Sequence, residues 1–259
     1  MELKYVDTHT MGEPTRIIVD GLPEIIGDTM MEKKKYLESN LDHIRTKAMH
    51  EPRGHKDMFG AIITKPTHKD ADWGVIFMDG GGYLNMCCHG SIGVATLLVE
   101  RGYVKAKEPV TYITLDTPAG LVDAKVKVKN GKALGVSITN VPSFLYKKDI
   151  EISLPSVGKI PLDISFGGSF FALVKAEDLK LDLSVENIDK LVKYGLEIRN
   201  ILNKEIYLSH PTNPNINTVD LVEIYGKASC EDADLKNVVI FGAGQVDRSP
   251  CGTGTSAQL

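Results

Sequence analysis

The sequence predicts a mixed α/β (α+β) chain built from two pseudo-symmetric halves, the second of them incomplete. Three observations lead there. Short runs rich in Val, Ile and Phe alternate with longer segments of helical period. Val75-Ile76-Phe77 and Val239-Ile240-Phe241 are each followed, ten residues after the Phe, by a cysteine, Cys87 or Cys251; Gly90 or Gly254 and then Ser91 or Thr255 come next, all at an offset of 164. Finally, 52 residues carry the first copy from Cys87 to Thr139, whereas only eight follow Cys251. By the chain's own symmetry it is expected to be truncated. The halves are expected at 1–145 and 146–259, with the seam in Val141-Pro142-Ser143-Phe144-Leu145.

The elements follow in order. Strands are expected at Lys4–Thr8 and Arg16–Val19, then a helix over Met30–Met49 capped by Asp28, with Leu37, Leu41, Ile44 and Ala48 on one face. The lysines of that helix are expected on a solvated face. Strands at Met58–Thr64 and Trp73–Met78, with Trp73 in the core, lead through Asp79-Gly80-Gly81-Gly82 to Cys87. The segment His89–Arg101 is apolar almost all round, which predicts a buried helix, and Gly102 supplies its stop. Strands at Val110–Leu115, Gly120–Val128 and Ala133–Thr139 follow, the last two joined by an Asn130-Gly131 turn. In the second half a helix over Ser184–Asn203 buries Ile188, Leu191, Ile198 and Leu202. Strands at Thr218–Ile224 and Asn237–Phe241 then lead to Cys251.

Composition narrows the function. With 30 basic against 34 acidic residues the formal net charge is −4, which offers no excess to follow a phosphate backbone, so no nucleic-acid partner is expected. Apolar runs such as Val94–Val99 are too short to span a bilayer, and the N-terminus lacks a signal-peptide core; a cytoplasmic protein without a membrane partner is expected.

Four cysteines are present. Cys230 lies in a polar stretch that reads as a surface loop. Cys87, Cys88, His89 and Cys251 have poor spacing for zinc, because adjacent residues rarely direct two thiolates at one tetrahedral ion, so no metal is expected. A cysteine after a strand and glycine loop, at the start of a helix, meets free N–H groups and the positive end of the dipole. These lower a thiol's pKa and favour an anion. Two such units would set two thiols on opposite sides of one carbon acid, one to remove a proton and the other to return it on the opposite face.

Met86-Cys87-Cys88-His89-Gly90 and Asp247-Arg248-Ser249-Pro250-Cys251-Gly252-Thr253-Gly254-Thr255 resemble the two cysteine motifs of the proline racemase family. Asp7-Thr8-His9-Thr10, Gly12-Glu13-Pro14-Thr15-Arg16, Glu51-Pro52-Arg53-Gly54-His55 and Phe166-Gly167-Gly168-Ser169-Phe170-Phe171 also resemble it. The resemblance implies a diaminopimelate-epimerase-like fold with the active site between its halves, a homodimer, and no pyridoxal phosphate, metal or nucleotide. It implies a small-molecule substrate, proline or hydroxyproline. It places Cys87 and Cys251 as the catalytic thiols and Asp247 at the substrate's ring ammonium. His89, the amide of Cys88, and Gly252 with Thr253 fall near the carboxylate, and Phe59 and Phe241 form aromatic walls. Two departures stand out: Cys88 replaces the family's glycine, and the chain stops where the family continues. The activity implied is racemisation of proline. The alternatives are 4-hydroxyproline 2-epimerisation and an inactive truncated remnant. A 3-hydroxyproline dehydratase fits less well, because that branch lacks the second thiol, present here as Cys251.

Overall fold

The computed structural model describes residues 2–259, and the chain forms two compact units, one running through Val141 and the other Pro142–Leu259. Each unit has its own sheet.

In the first unit β1 (Lys4–Thr10) and β2 (Glu13–Asp20) form a hairpin whose turn, Met11-Gly12, lies at positive φ. A helical crossover brings β3 (Phe59–Thr64) parallel to β2, and β4 (Trp73–Asp79) returns antiparallel to β3. The short β5 (Tyr83–Leu84) pairs with β4 and leads into α3 (Cys88–Glu100). The sheet is extended by β6 (Val110–Thr117), β7 (Gly120–Lys129) and β8 (Lys132–Thr139). Asn130 and Gly131, both at positive φ, make the tight turn between the last two strands.

The crossover departs from a single helix. It comprises α1 (Met30–Tyr36), one π-helical turn (Leu37–Leu41) and α2 (Asp42–Met49). Its cap is Thr29 rather than Asp28, because Thr29 and Glu32 complete a reciprocal capping box. Met30, Leu37, Ile44, Ala48 and Met49 pack with Ile18, Ile62, Ile76 and Met78. The lysine face also departs from expectation: Lys33 is buried, and its Nζ donates to the Lys65 carbonyl at 2.6 Å. Burial lowers its pKa, and the charges of Asp116 and Glu24 oppose this in part. Trp73 is only half-buried, its ring edge-on to Tyr103.

The second unit repeats this pairing scheme. A hairpin of β10 (Gly158–Phe166) and β11 (Phe170–Lys175) is followed by α4 (Ile188–Glu205), β12 (Val219–Lys227) parallel to β11, β13 (Leu235–Phe241) antiparallel to β12, and β14 (Gln245–Val246), before α5 (Gly252–Gln258). The segment β9 (Phe144–Leu154) flanks β10. No strand was expected between Phe144 and Lys175. Lys147-Lys148-Asp149 interrupts the apolar alternation of β9, and Asp149 sits at positive φ beside a register shift, which hides the pattern.

The constant offset does not survive in the ladders. Ala61 pairs with Phe77, and 164 residues on Tyr225 pairs with Asn237 rather than with Phe241. With β12 set on β3 at that offset, the strand position of Phe77 falls to Asn237, four residues earlier than the Val-Ile-Phe match implies.

Arg16, in the Gly12–Arg16 stretch, ties the first unit together. Its guanidinium grips Asp7 with two bonds of 2.9 Å and donates to the carbonyls of Ala48 and Arg53 at 3.0 and 2.6 Å. Lysine cannot reproduce this planar fork. Arg16→Lys is expected to lower the unfolding free energy by about 2–4 kcal/mol in urea titrations; a change below about 0.5 kcal/mol would contradict this role.

Candidate active site

The chain reaches Cys87 from β4 through the loop Asp79-Gly80-Gly81-Gly82. Asp79 Oδ1 accepts from the Gly81 and Gly82 amides, and the loop's carbonyls at Asp79 and Gly80 accept from Arg45. Cys87 is the N-cap of α3: its backbone is extended and its Sγ accepts from the Gly90 amide at 3.3 Å. A sulfur so placed meets the free amides and the dipole of a 13-residue helix, which favour the thiolate. The ring Nδ1 of His89 lies 3.1 Å from Cys87 Sγ, so this buried imidazole can exchange a proton with the thiol. Phe59 stands edge-on to His89 with centroids 4.5 Å apart. Cys88 is the first residue of α3, half-buried and helical, a position where a side chain in place of glycine meets no backbone restriction.

Close approach of α3 to the strands depends on Gly90. A Cβ there would lie 2.7 Å from Phe77 Cε1 and 3.3 Å from Phe59. Alanine would force the helix start, and Cys87 with it, away from the sheet.

In the second unit the hairpin β13–β14 turns through Gly242 and Gly244, both at positive φ, and the chain passes Asp247 to Cys251. Asp247 Oδ1 accepts from the Ser249 amide at 2.7 Å, and Ser249 Oγ accepts from the Cys251 amide at 3.1 Å. Cys251 caps α5 with a left-handed backbone, φ 55° and ψ 86°, unlike its counterpart. It is buried, with Thr253 Oγ1 3.7 Å from its sulfur. Burial pushes its thiol well up, and the charge of Asp247 pushes the same way, against the Gly254 amide. Gly252 accepts from Ser256 Oγ within the short helix. Phe241 closes β13 and, like Phe59, is buried.

The first unit thus gathers Cys87, Cys88, His89 and Phe59, and the second gathers Cys251, Asp247, Gly252 and Thr253. Cys230 is exposed in its loop. Among the described residues no group of three or more His, Cys, Asp or Glu stands close enough to hold a metal ion. A cavity of about 570 Å³ elsewhere on the second unit, lined by Leu181, Leu183, Tyr225 and Leu235, holds none of the site residues.

Sequence reasoning passed over Glu223, on β12. It is fully buried, and Asn237 Nδ2 donates to its Oε1 at 2.8 Å. Burial raises its pKa to about 7, the charge of Asp247 adds to this, and the Asn237 bond opposes it. The signal in the sequence is one acidic residue inside the apolar run Leu221-Val222-Glu223-Ile224.

A family model described as proline racemase matches residues 5–259. A proline racemase of Acetoanaerobium sticklandii is 61% identical over 255 residues, 98% of this chain and 76% of the relative. A 4-hydroxyproline 2-epimerase of Streptosporangium roseum is 43% identical over 254 residues, again 98% of this chain and 76% of the relative. The crystal structure of a probable proline racemase from Agrobacterium radiobacter, with bound carbonate, has a TM-score of 0.94 at 33% identity and covers 99% of this chain and 76% of its own. That of a hydroxyproline epimerase from Agrobacterium vitis, with bound trans-4-hydroxy-L-proline, has a TM-score of 0.93 at 32% identity, covering 99% and 75%.

A carboxyl whose pKa is raised on folding holds its proton more tightly in the native state. Its contribution is intact below the ordinary value of 4.5 and is lost as pH rises through about 7. Over that range the unfolding free energy is expected to fall by about 3 kcal/mol relative to Glu223→Gln, read from denaturant titrations at several pH values. Parallel curves for the two proteins would show that the carboxyl titrates normally.

Proposed function

The chain belongs to the proline racemase family, and from that premise we propose that it interconverts L- and D-proline by passing the α-proton between Cys87 and Cys251. It is an isomerase of the racemase type. The observation that carries the thiol assignment is that both cysteines cap the helix that follows a strand and a glycine turn.

In this reading one sulfur, as thiolate, removes the α-proton while the other, as thiol, protonates the opposite face, and the next turnover in the reverse direction restores the first state. Cys87 is suited to the thiolate form by the Gly90 amide and the helix dipole, and His89 at 3.1 Å is its proton partner. Cys251, buried beside Asp247, is suited to hold its proton until a carbanion demands it. Asp247 receives the ring ammonium. The amide of Cys88, His89, Gly252 and Thr253 face the carboxylate, and Phe59 and Phe241 flank the ring. The substrate is bound without a metal or organic cofactor, and the protein acts as a cytoplasmic homodimer, as the family resemblance implies.

Proline is favoured over 4-hydroxyproline because similarity to the proline racemase, 61%, is well above that to the 2-epimerase, 43%.

Cys87→Ser and Cys251→Ser are each expected to reduce racemisation of L-proline, followed by optical rotation, by about a hundredfold or more. Undiminished racemisation in either variant would exclude the two-thiol reading. Faster epimerisation of trans-4-hydroxy-L-proline than racemisation of proline would move the substrate assignment to the epimerases.

A further inference from the structure

The two helix starts are matched in sequence, but the strands beneath them are not. Under Gly90 lie two phenyl rings, Phe59 and Phe77, 6.2 Å apart. Under Gly254 lies the carboxyl group of Glu223, bonded to Asn237. Matching Phe59 with Glu223, each beneath its helix-start glycine, makes the pairs counterparts: Phe59 is two residues from Ala61, which pairs with Phe77, and Glu223 is two residues from Tyr225, which pairs with Asn237. A polar pair thus replaces an aromatic pair at the same place in the repeat.

That replacement is costly unless it has a use, because a buried carboxyl without full hydrogen bonding costs more than a phenyl ring. Oε1 is held by Asn237, whereas Oε2 has no hydrogen-bond partner among the described residues. Oε2 touches the space a Gly254 Cβ would fill, and Cys251 Sγ borders the same space at 3.2 Å. Asn237 also donates to the Pro250 carbonyl at 3.2 Å, which fixes the carboxyl relative to the residue before the thiol.

We propose that Glu223 is a positioning residue for the second half of the reaction, whose carboxyl group, aimed by Asn237 at the start of α5, controls the protonation of the Cys251 thiol. The inference rests on the two-thiol reading for its role in turnover. With Glu223 neutral, its proton is available as a donor toward the sulfur and a thiolate is tolerated. With Glu223 ionised, its charge opposes a thiolate and Cys251 keeps its proton. Asp247 acts on both groups with the same sign, Tyr225 lies on the same strand as Glu223, and Asn237 and Thr253 are uncharged. Because Glu223 changes state at about 7, above neutrality its charge adds to the burial that already holds Cys251 as the acid, the form that takes up one of the two enantiomers. The aromatic pair of the first unit offers Cys87 no such control.

The test uses the full chain with Cys87, Cys88 and Cys230 replaced by Ser, which leaves Cys251 as its single thiol. Its thiolate absorbance is titrated with Glu223, Glu223→Gln and Glu223→Asp. Removal of the charge in Glu223→Gln is expected to bring the Cys251 titration down by about one pH unit, a tenfold change, while Glu223→Asp stays close to the parent. Coincident titrations for Glu223 and Glu223→Gln would overturn the proposal. Infrared spectra of the parent single-thiol protein give a second readout that needs no change at position 223. The S–H stretch of Cys251 is expected to shift in step with loss of a protonated-carboxyl band near neutrality, and an S–H band unmoved through that step would also overturn it. Neither readout depends on racemisation. A chain that does not racemise proline defeats the proposed function, whereas an uncoupled Cys251 in a chain that does racemise it defeats this inference alone.

Discussion

Everything at the two thiols depends on how closely a helix can begin against the sheet that supports it. The sulfur of an N-cap cysteine gains the amides and the dipole only if the first turn lies on the strands, and a Cβ would prevent that. Gly90 meets the rings of Phe59 and Phe77, and Gly254 meets the carboxyl of Glu223. A third glycine serves the same end, since a Cβ at Gly167 would strike the Thr253 carbonyl in α5. The glycines of the two cysteine motifs are thus packing requirements of the two helix starts.

From that shared geometry the two units diverge. Cys87 has an extended backbone, a bonded amide and an imidazole at its sulfur. Cys251 has a left-handed backbone, a hydroxyl at 3.7 Å and two carboxyl groups that act on it. A reaction that inverts one carbon needs an acid and a base at each instant, and in the proposed two-thiol reaction unequal surroundings would set which sulfur plays which part at rest. The pseudo-symmetry supplies two reactive positions, and the departures from it supply their difference.

The sequence reading reached the motifs because their chemistry is dense in sequence: two cysteines, each followed by glycine and a hydroxyl residue. It also reached most helices and strands of the first unit, where apolar periodicity is plain. It missed what depends on partners distant in the chain. Thr29 rather than Asp28 caps the crossover because of Glu32. Lys33 is buried because the Lys65 carbonyl receives it. The alternation of β9 is obscured by charged residues at a bulge. The Val-Ile-Phe match marks a real repeat, yet pairing puts Asn237 in Phe77's place. That four-residue slip is invisible without the ladder, and with it Glu223 becomes the counterpart of an aromatic ring.

The central claim is that two different groups carry the proton off and on. Deuterium labelling tests it most directly: L-proline is incubated with the protein in deuterated water and both enantiomers are isolated at low conversion. Two thiols predict D-proline that carries deuterium at the α-carbon while the recovered L-proline keeps its protium. D-Proline that retains the substrate's own α-proton would show one group serving both faces, and would contradict the account.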